Sequence, residues 1–372
     1  MLRQGQLDGI GRFSFEMLKR ITRRNPEVHF VFLFDREVSE EFIFSDNITP
    51  IILWPQARHP ILYRLWFEWS VRSLLNQMKP DLFFSPDGFL SLGAKCPQLP
   101  VIHDINFFHH PEDLRRSYSR YYNKFFPKFA KLAAQILTVS EYSKKDIAAH
   151  FKIESEKIQV AYNGISEGFY SRGELKNAAT RNKFSNGNPY FLYVGSMHPR
   201  KNIVRLLIAF DAFKKSTGAP HSLVLCGPEF WGLKSIEAAH VSLKHKKDVI
   251  ITGRIPEQDL QEIYSAAFAF VYVPYFEGFG IPLVEAMASE IPVITSNITS
   301  MPEVCADAAL YVNPMNVEEI SGAMTYLLND SEKRIELVKK GTNRKNNFNW
   351  DAGADIVWDC IRSCVTPATS QR

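Results

Sequence analysis

Glu277-Gly-Phe-Gly-Ile-Pro-Leu-Val-Glu285 is the stretch of sequence that decides the fold, because it joins two kinds of element. An apolar run of strand length ends before it at Val273, and its Pro282 is a residue favoured in the first turn of a helix. Gly278 and Gly280 let the backbone approach a ligand closely, and unpaired N–H groups at a helix start attract anions. The stretch therefore predicts a strand, a phosphate-binding turn and a helix, as in a parallel α/β sheet.

The same alternation of apolar runs and amphipathic stretches extends along all 372 residues. It is typical of parallel sheets covered by helices on both faces, and the length exceeds what one compact core usually holds. The sequence therefore predicts two Rossmann-like, doubly wound parallel-sheet domains that face each other across a cleft. Their predicted bounds are a first domain over 1–170, a linker over 171–188, a second domain over 189–349 and a C-terminal helix over 350–372.

Strands are predicted wherever a short apolar run is bounded by turn residues. In the first domain they are His29–Phe34, Ile51–Trp54, Asp81–Ser85, Pro100–Asp104, Gln135–Val139 and Ile158–Tyr162. In the second domain they are Tyr190–Val194, Ser222–Cys226, Val249–Thr252, Phe268–Val273, Pro292–Thr295 and Ala309–Val312. The linker is predicted because Ser171–Asn188 is rich in Gly, Asn, Ser and charge and has no clean apolar stripe.

The overall composition restricts the partners and the compartment. Lysine and arginine number 44 against 40 aspartates and glutamates, a balance that does not demand nucleic acid. The five cysteines include no C-x-x-C pair of the kind that zinc or redox sites use, which favours a reducing cytosol. No apolar run approaches the roughly 20 residues of a membrane-spanning helix, and no signal-peptide pattern is present. We therefore predict a cytoplasmic protein without a nucleic-acid partner.

A second glycine turn, Gly195-Ser-Met-His-Pro-Arg-Lys201, again lies between a predicted strand and a predicted helix. Arg200 offers a planar guanidinium and Lys201 a compact ammonium beside an anion-binding helix terminus. Together they can neutralise a diphosphate and stabilise it as a leaving group. The alternative is that both cations are solvated surface charges.

Three further candidates have weaker local signals. Glu277 and Glu285 suit sugar or ribose hydroxyls because ionised carboxylates only accept hydrogen bonds, or else they simply favour a helix N-terminus. His103 stands at the carboxyl end of a predicted strand, where cleft residues concentrate, although a lone histidine beside an aspartate is more often structural. Asp8-Gly-Ile-Gly-Arg12 places glycines at another helix start, or forms a plain turn.

In combination these motifs resemble the retaining glycosyltransferases of the two-domain GT-B fold, family four, also called group 1, whose donors are nucleotide sugars. The resemblance covers nearly the whole chain, and the glutamate pair Glu277 and Glu285 is its most specific feature. Other segments that share the family pattern are Gly9–Arg12, His103–Asp104, Thr138–Ser143, Asn163–Gly164, Arg200–Lys201 and Gly253–Pro256.

The resemblance implies a role for each candidate. Arg200 and Lys201 would hold the donor diphosphate, Glu277 would contact the transferred sugar and Glu285 would bind the ribose diol. His103 would contact the donor sugar near the reacting centre. The second domain would bind the donor and the first would face the acceptor. The remaining residues predicted to bind the donor are Gly9, Gly11, Gly195, Ser196, Gly278, Phe279, Gly280, Ile281, and Arg254 beside the nucleotide base.

Metal independence is predicted because no aspartate begins an Asp-x-Asp motif that would hold a divalent ion on the diphosphate. Arg200 and Lys201 would replace the ion, so neither a metal nor a cofactor is expected. Retention implies, through the family, front-face attack in which the departing phosphate accepts the proton of the acceptor. Similarity to mannosyltransferases favours a GDP-mannose donor and a saccharide or lipid-linked saccharide acceptor in surface polysaccharide biosynthesis.

Two departures from the family pattern keep alternatives open. A strand normally precedes the first glycine turn, whereas the few residues before Gly9 contain no β-branched run, so that strand is predicted to be missing. Glu290 stands where the family usually has glycine, which predicts a different turn. The missing strand favours a non-catalytic subunit that binds sugar nucleotides as one alternative. A nucleotide-sugar epimerase of the same fold is the other.

Two helices invite more than one interpretation. The apolar residues from Ile356 to Cys364 share one face, and in similar proteins such a helix crosses back to the N-terminal domain, although spacing alone fits an ordinary terminal helix equally well. Residues 115–131 mix cations with aromatic side chains, as in helices on anionic membranes. A buried aromatic face is the favoured interpretation because Pro127 interrupts the stripe. Peripheral contact with the inner face of a membrane is the competing hypothesis.

Overall fold

The computed structural model describes residues 7–228 and 233–365 and separates the chain into two compact units. Unit 1 comprises Met1–Asn163 together with Asn349–Arg372, and unit 2 comprises Gly164–Phe348. Across the described residues, no helix combines the length and the apolar content that crossing a bilayer requires. The strand predicted to be missing before Gly9 concerns residues that lie largely outside the described range.

Unit 1 is built from short parallel strand pairs and the helices between them. Its elements are α1 (Gly9–Arg24), β1 (Phe30–Phe34), β2 (Ile48–Ile52), α2 (Pro60–Leu65), α3 (Arg72–Met78), β3 (Phe83–Ser85), β4 (Gln98–Pro100), α4 (Asn106–His109), α5 (Arg116–Leu132), β5 (Ile136–Thr138), α6 (Glu141–Phe151) and β6 (Ile158–Val160). A π-helical turn, Trp66–Val71, joins α2 to α3. The parallel pairs are β1 with β2, β3 with β4 and β5 with β6. A parallel bridge between Val101 and Leu137 connects the end of β4 with β5.

Helix α1 shows how local sequence determines these elements. The Asp8 carboxylate accepts a hydrogen bond of 2.8 Å from the Gly11 N–H and so caps the helix start. Phe13, Met17 and Ile21 follow at helical spacing on one face and are buried, each at no more than 1% exposure. Burial of each such side chain stabilises the unit by about 1.5–3 kcal/mol.

Unit 2 contains one six-stranded parallel sheet. Its elements are α7 (Glu174–Ser185), β7 (Tyr190–Val194), α8 (Ile203–Thr217), β8 (Ser222–Cys226), α9 (Leu233–Ser242), β9 (Val249–Gly253), α10 (Glu257–Ser265), β10 (Ala269–Tyr272), α11 (Ile281–Ala288), β11 (Val293–Ser296), α12 (Met301–Cys305), β12 (Leu310–Val312), α13 (Val317–Asn329) and α14 (Ser331–Arg344). The strand order is β12-β11-β10-β7-β8-β9. The chain therefore proceeds outward from β7 to β9, returns to the other side of β7 at β10, and proceeds outward again.

This reversal of strand order positions the site. Loops after β7 and β10 leave the sheet in opposite directions, so a crevice opens between them at the carboxyl ends of the two strands. The turn Gly195–Lys201 follows β7, and the stretch Glu277–Glu285 follows β10. The two motifs that are most informative in the sequence therefore meet at the switch point of the unit 2 sheet.

The predicted strands of unit 2 agree closely with the structure, whereas two in unit 1 are displaced. β2 begins at Ile48 rather than at Ile51, and β4 ends at Pro100 rather than at Asp104. The segment Ile51–Trp54 was predicted as a strand because it is apolar. In the structure its residues Ile52 and Trp54 are exposed, at 52% and 77%. As a result, His103 lies in the loop beyond β4 and not on the strand itself.

The segment predicted as a linker is folded. Helix α7 occupies Glu174–Ser185 within it and packs against α10 in unit 2. The apolar stripe that would have revealed the helix is absent because its buried residues are polar, Thr180 and Ser185, while Leu175 is 91% exposed. The backbone N–H of Arg172 donates to the Ser265 hydroxyl at 2.8 Å and fixes the start of this segment.

The helix α15 (Trp350–Val365) belongs to unit 1 and packs along α1. Gly353 allows the close approach, because a Cβ there would lie 2.8 Å from the Tyr162 carbonyl oxygen and 2.7 Å from Cε of Met17. At the surface Arg20 pairs with Asp351 at 2.9 Å, and Arg24 pairs with Asp355 at 2.9 Å. The chain thus contributes its first and last described helices to the same core.

Glu290 adopts φ 60°, in the left-handed region that favours glycine. The substitution Glu290→Gly is expected to raise the free energy of unfolding by about 0.5–1 kcal/mol, because relief of the Cβ clash outweighs the extra freedom of the unfolded chain. Urea denaturation followed by circular dichroism measures the change.

The matched control is Glu237→Gly in the exposed part of α9, where glycine should lower the free energy of unfolding by about 1 kcal/mol. Equal destabilisation by both substitutions would contradict the assignment of a strained backbone at Glu290.

Candidate active site

The loops at the carboxyl ends of β7, β8 and β9 cross at close range. The Gly195 N–H donates to Cys226 O at 2.9 Å, and the Gly227 N–H donates to Gly253 O at 2.9 Å. A Cβ on Gly227 would lie 2.1 Å from the Gly195 carbonyl oxygen, so a side chain cannot be accommodated there. Ser196 lies on the same loop, and its carbonyl oxygen accepts a hydrogen bond of 3.0 Å from Tyr193. Gly195 is thereby held beside the crevice with no side chain to obstruct a ligand.

A short turn after β7 presents the two cations. Pro199–Lys201 forms a 3₁₀ turn, and Nδ1 of His198 accepts a hydrogen bond of 3.3 Å from the Arg200 N–H. Burial, together with the charges of Arg200 and Lys201, lowers the pKa of His198 to about 3, so this ring is neutral and can accept. Asn202 follows at φ 64° and donates from its side chain to Val273 O at 3.0 Å and Pro314 O at 2.6 Å.

Glu277, on the loop that follows β10, binds three partners through one carboxylate oxygen. Arg200 Nη1 is 2.6 Å from Glu277 Oε2, and Lys201 Nζ forms an ion pair with the same oxygen. The Tyr272 hydroxyl donates to it as well, at 3.1 Å. Arg200 Nη1 additionally donates to Phe276 O at 3.2 Å, and the Tyr275 N–H donates to Arg200 O at 3.0 Å. The structure therefore brings Arg200, Lys201 and Glu277 into direct contact.

The protonation states of this cluster follow from its surroundings. Burial raises the pKa of Glu277, but the charges of Arg200 and Lys201 act in the opposite direction and bring the pKa below its ordinary value of 4.5. Burial and the Glu277 charge raise the pKa of Tyr272, which keeps this hydroxyl protonated as a donor. Two cations therefore share one carboxylate, and Lys201, 7% exposed, has little water to solvate it. The formal charges of Arg200, Lys201 and Glu277 alone sum to about +1.

The glycine turn before α11 is fixed in place by contacts with two later segments of unit 2. Ser300 donates from its hydroxyl to Glu277 O at 2.9 Å, and Phe279 packs edge-on against Phe348 with ring centroids 5.5 Å apart. Gly280 adopts φ 95° and begins α11 without a side-chain cap. The first turn of α11, which starts at Ile281, is therefore arranged to receive an anion at its backbone N–H groups.

Glu285 lies one turn further along α11 and is 7% exposed. The Tyr264 hydroxyl, from α10, donates to Glu285 Oε2 at 3.0 Å. Burial and the neighbouring carboxylate raise the pKa of Tyr264, so the hydroxyl remains a donor. Arg254 is exposed and directly follows Gly253 at the end of β9, on the neighbouring loop.

Sequence reasoning missed three residues that organise this site. Tyr272 stands in an apolar strand and Tyr264 at a buried position of α10, where a tyrosine is indistinguishable in sequence from a core aromatic. Asn202 offered a usable signal, because asparagine between a cationic turn and a helix suits the left-handed conformation that it adopts.

The candidates in unit 1 form a separate group. His103 follows β4, donates from Nε2 to Pro86 O at 2.9 Å and packs edge-on against Phe13 with ring centroids 5.0 Å apart. Burial lowers the pKa of His103, so the ring is neutral at pH 7 and its Nδ1 is an acceptor. Gly9 is exposed at the start of α1, and Gly11 donates its N–H to the capping Asp8.

Comparison with known proteins supports the resemblance. A model of the Glycosyltransferase Family 4 matches residues 7–168, and a model of the Glycosyl transferases group 1 matches residues 176–344. The chain is 30% identical to O-antigen chain mannosyltransferase B of Escherichia coli, over 93% of each chain. It is 34% identical to O-antigen chain mannosyltransferase RfbU of Salmonella typhimurium, over 68% of this chain and 64% of the relative.

Solved structures confirm the predicted two-domain GT-B fold. WaaG, a glycosyltransferase involved in lipopolysaccharide biosynthesis, superposes with a TM-score of 0.77 at 17% identity and covers 98% of both chains. Alr3699/HepE of Anabaena, solved in complex with UDP and glucose, gives a TM-score of 0.76 at 15% identity over 97% of this chain and 98% of that chain.

Glu277→Gln is expected to lower the free energy of unfolding by about 3 kcal/mol at pH 7, because it leaves buried cations without their counter-charge. Since the pKa of Glu277 is lower in the folded chain, this contribution is present above pH 4.5 and is lost as the pH falls further. Urea titrations at several pH values measure it.

Glu332→Gln, at an exposed position of α14, is the control and should change the free energy of unfolding by less than about 0.5 kcal/mol. A loss of stability for Glu277→Gln that grows as the pH falls would contradict the ion-pair interpretation.

Proposed function

The chain belongs to the group 1 glycosyltransferases, and we propose on that premise that it transfers a hexosyl residue from a nucleotide diphosphate sugar, with retention of configuration and without a metal ion. The observation that carries the proposal is the cluster of Arg200, Lys201 and Glu277 at the switch point of the unit 2 sheet. The acceptor in this proposal is a saccharide or a lipid-linked saccharide.

The surplus positive charge of the cluster suits a diphosphate. Arg200 and Lys201 both donate to the same carboxylate oxygen of Glu277. A guanidinium carries five N–H donors and an ammonium three, and we assign donors of both residues to the phosphate oxygens. A charge-assisted hydrogen bond contributes about 1.5–3 kcal/mol, and its value increases in a site with little water. As the bond to the sugar breaks, negative charge develops on the leaving diphosphate, and fixed cations stabilise that charge without reorganisation.

The same charges disfavour a metal ion at this position. A divalent cation on the diphosphate would face the guanidinium of Arg200 and the ammonium of Lys201. The nearby carboxylate of Glu277 already bonds to both cations and to Tyr272. Glu285, the other acidic residue of the stretch, accepts from Tyr264. We therefore assign the role that a metal plays in other transferases to Arg200 and Lys201.

The two glutamates are assigned to hydroxyl groups of the donor. Within the described residues, the three contacts of Glu277 all use Oε2, which leaves Oε1 to accept from a hydroxyl of the transferred sugar. Glu285 accepts from the ribose diol, since each carboxylate oxygen has two acceptor positions. In unit 1, the neutral His103 donates from Nε2 to Pro86 O and so offers Nδ1 to a sugar hydroxyl.

The configuration at the anomeric carbon is retained in this proposal because the acceptor attacks the same face of the sugar that the leaving group departs from. The bond between the anomeric carbon and the diphosphate oxygen breaks, and the electron pair leaves with the diphosphate. The acceptor oxygen forms the new bond on the same face and transfers its proton to the departing phosphate oxygen. Arg200 and Lys201 stabilise the negative charge of that oxygen before the proton reaches it.

A mannosyl donor is proposed from the relatives. The two mannosyltransferases described above act, by their names, on O-antigen chains, and the Escherichia coli protein matches 93% of this chain. We therefore propose GDP-mannose as donor and a growing surface polysaccharide as acceptor. An epimerase would return a free sugar nucleotide and a binding subunit would return no product, so product analysis separates all three functions.

A second proposal concerns contact with an anionic membrane. The aromatic residues of α5 that favoured such contact in the sequence are in part buried, including Tyr121, Phe126 and Phe129. Exposed apolar side chains lie instead on the helical segment from α2 to α3. Ile61, Leu65 and Trp69 recur there at intervals of four residues and are 66%, 41% and 72% exposed.

Cations surround this apolar face. Arg58, Arg64 and Arg72 are exposed on or next to the same segment. The exposed Arg115 and Arg116 begin α5 near Arg58, whose carbonyl oxygen accepts a hydrogen bond from Tyr118. Apolar residues framed by arginine match the chemistry of an anionic bilayer surface, where side chains insert and cations bind headgroups. We therefore propose that unit 1 contacts anionic lipid through this face.

The metal-independent mechanism predicts full turnover of GDP-mannose in excess chelator. Arg200→Ala and Lys201→Ala should each lower kcat about 100-fold or more, because each removes a donor to the developing charge. Lys215→Ala, at an exposed position of α8, is the matched control and should leave kcat unchanged. Product formation and anomeric configuration are measured by NMR. Loss of turnover in chelator that magnesium restores, or an inverted product, would contradict the mechanism.

Membrane contact predicts that co-sedimentation with liposomes rises with the fraction of anionic lipid and falls with added salt. The double substitution Leu65→Ser and Trp69→Ser should weaken binding at least about tenfold, because the inserted apolar area is lost. Leu175→Ser, which changes the 91% exposed leucine of unit 2, is the control and should bind as the unaltered chain does. Binding that is indifferent to lipid charge would refute the proposal.

A further inference from the structure

Two histidines and an aspartate converge on the surface of unit 1, between α4 and α6. His109 is the last residue of α4, and Asp146 and His150 stand four residues apart on α6. His109 Nε2 lies 2.8 Å from Asp146 Oδ1, and His150 Nδ1 lies 3.0 Å from the same carboxylate oxygen. The rings of the two histidines meet edge to face, with centroids 4.7 Å apart. We call these three residues the histidine–aspartate cluster.

Helix geometry explains why the cluster forms. Residues four apart on a helix project from the same face, so Asp146 and His150 point toward the same neighbour. Position 109 ends the short helix that packs on this face, and its imidazole completes the group. The Asp146 side chain is only 8% exposed, while the two imidazoles are 26% and 35% exposed. A largely buried carboxylate is thus covered by two partly exposed nitrogen ligands.

We propose that the histidine–aspartate cluster binds one divalent transition-metal ion of the zinc class, with solvent completing the coordination. Each residue offers one ligand atom, and these atoms lie within 4.8 Å of one another. A tetrahedral ion with bonds of about 2.0–2.1 Å holds its ligand atoms about 3.3 Å apart. The separations of 2.8 and 3.0 Å to Asp146 are close to this value, and an ion on His150 Nδ1 would replace the contact of 2.9 Å between that nitrogen and the Asp146 carbonyl oxygen.

The ligand types select among metals. Two imidazole nitrogens and one carboxylate oxygen suit Zn²⁺, Co²⁺, Ni²⁺ and Cu²⁺, whereas Mg²⁺ and Ca²⁺ prefer oxygen ligands alone. The partly exposed imidazoles give the ion a route from solvent. Phe108 packs against the His150 ring at 4.8 Å and shields one side of the site. The site is therefore expected to discriminate against the magnesium that many other transferases use.

Binding of an ion would connect two segments next to His103. Helix α4 follows His103 in the chain by a few residues, and the Ser143 hydroxyl on α6 donates to His103 O at 3.1 Å. An ion held by His109, Asp146 and His150 would fix α4 to α6 and so restrict the loop that carries His103. The inference concerns unit 1 only and is independent of how the donor diphosphate is bound in unit 2.

The experiment uses the intact, untagged chain, from which metal is first removed with a chelator and the chelator is then removed. This chain is titrated with Zn²⁺ and, separately, with Co²⁺. We expect one equivalent to bind by calorimetry and the melting temperature to rise by about 5 °C at saturating ion. Bound Co²⁺ should show the intense visible absorption of a four-coordinate ion and no near-ultraviolet thiolate band, which excludes the cysteines as ligands. Mg²⁺ at the same concentration should produce none of these changes.

Matched variants locate the site. His150→Ala and His109→Ala should each weaken binding of Zn²⁺ at least about 100-fold and abolish the Co²⁺ spectrum. The control is His245→Ala, because His245 also pairs with a carboxylate, Asp211, at 3.0 Å but belongs to no group of three ligands among the described residues. It should bind Zn²⁺ as the unaltered chain does.

Circular dichroism of each variant without metal verifies that it is folded. The proposal is overturned if the intact chain binds no stoichiometric Zn²⁺. It is also overturned if folded His109→Ala and His150→Ala retain the affinity of the intact chain, or if Co²⁺ shows thiolate coordination. Each of these outcomes would leave the cluster as a hydrogen-bonded group that holds α4 against α6.

Discussion

The parallel pairing of β7 with β10 is the constraint on which the candidate site of unit 2 depends. Parallel strands require crossover connections, and the chain of unit 2 makes them outward on one side of β7 and then on the other. The loops that follow these two strands must therefore diverge, and the residues at their bases are brought face to face. Arg200 and Lys201 come from one loop and Glu277 from the other. Their ion pairs couple two segments that the sequence separates by more than seventy residues.

The unit 2 sheet and its two motifs were accessible to sequence reasoning because their signals are local. A buried parallel strand is a continuous apolar run, and a glycine turn with a proline in the next helix marks both the strand end and the helix start. β7 and β8 agree with their predicted bounds for this reason. The convergence of Glu277 with Arg200 and Lys201 could also be anticipated, since motifs at the carboxyl ends of parallel strands share one edge of a sheet.

The features that the sequence did not predict depend on the exposure of individual side chains or on contacts between residues distant in sequence. Ile52 and Trp54 resemble core residues by type but are exposed, which displaced the predicted β2. Helix α7 was not predicted because it packs through small polar side chains. Tyr272 and Tyr264 become recognisable as site residues only when their hydroxyls are seen to contact Glu277 and Glu285. The histidine–aspartate cluster has no motif, because His109 and Asp146 meet only through the packing of α4 on α6.

The packing of α15 along α1 has a consequence for biosynthesis. The apolar face of α1, with Met17 opposite Gly353, is synthesised before unit 2, and its partner α15 is synthesised only after unit 2. Unit 2 lies entirely between them and can complete its sheet while unit 1 still lacks a helix. The part of unit 1 that precedes unit 2 therefore keeps an uncovered surface until α15 has been synthesised. Termination directly after unit 2 would leave a folded unit 2 attached to a unit 1 that lacks α15, so completion of α15 is a point at which quality control can distinguish a finished unit 1 from an unfinished one.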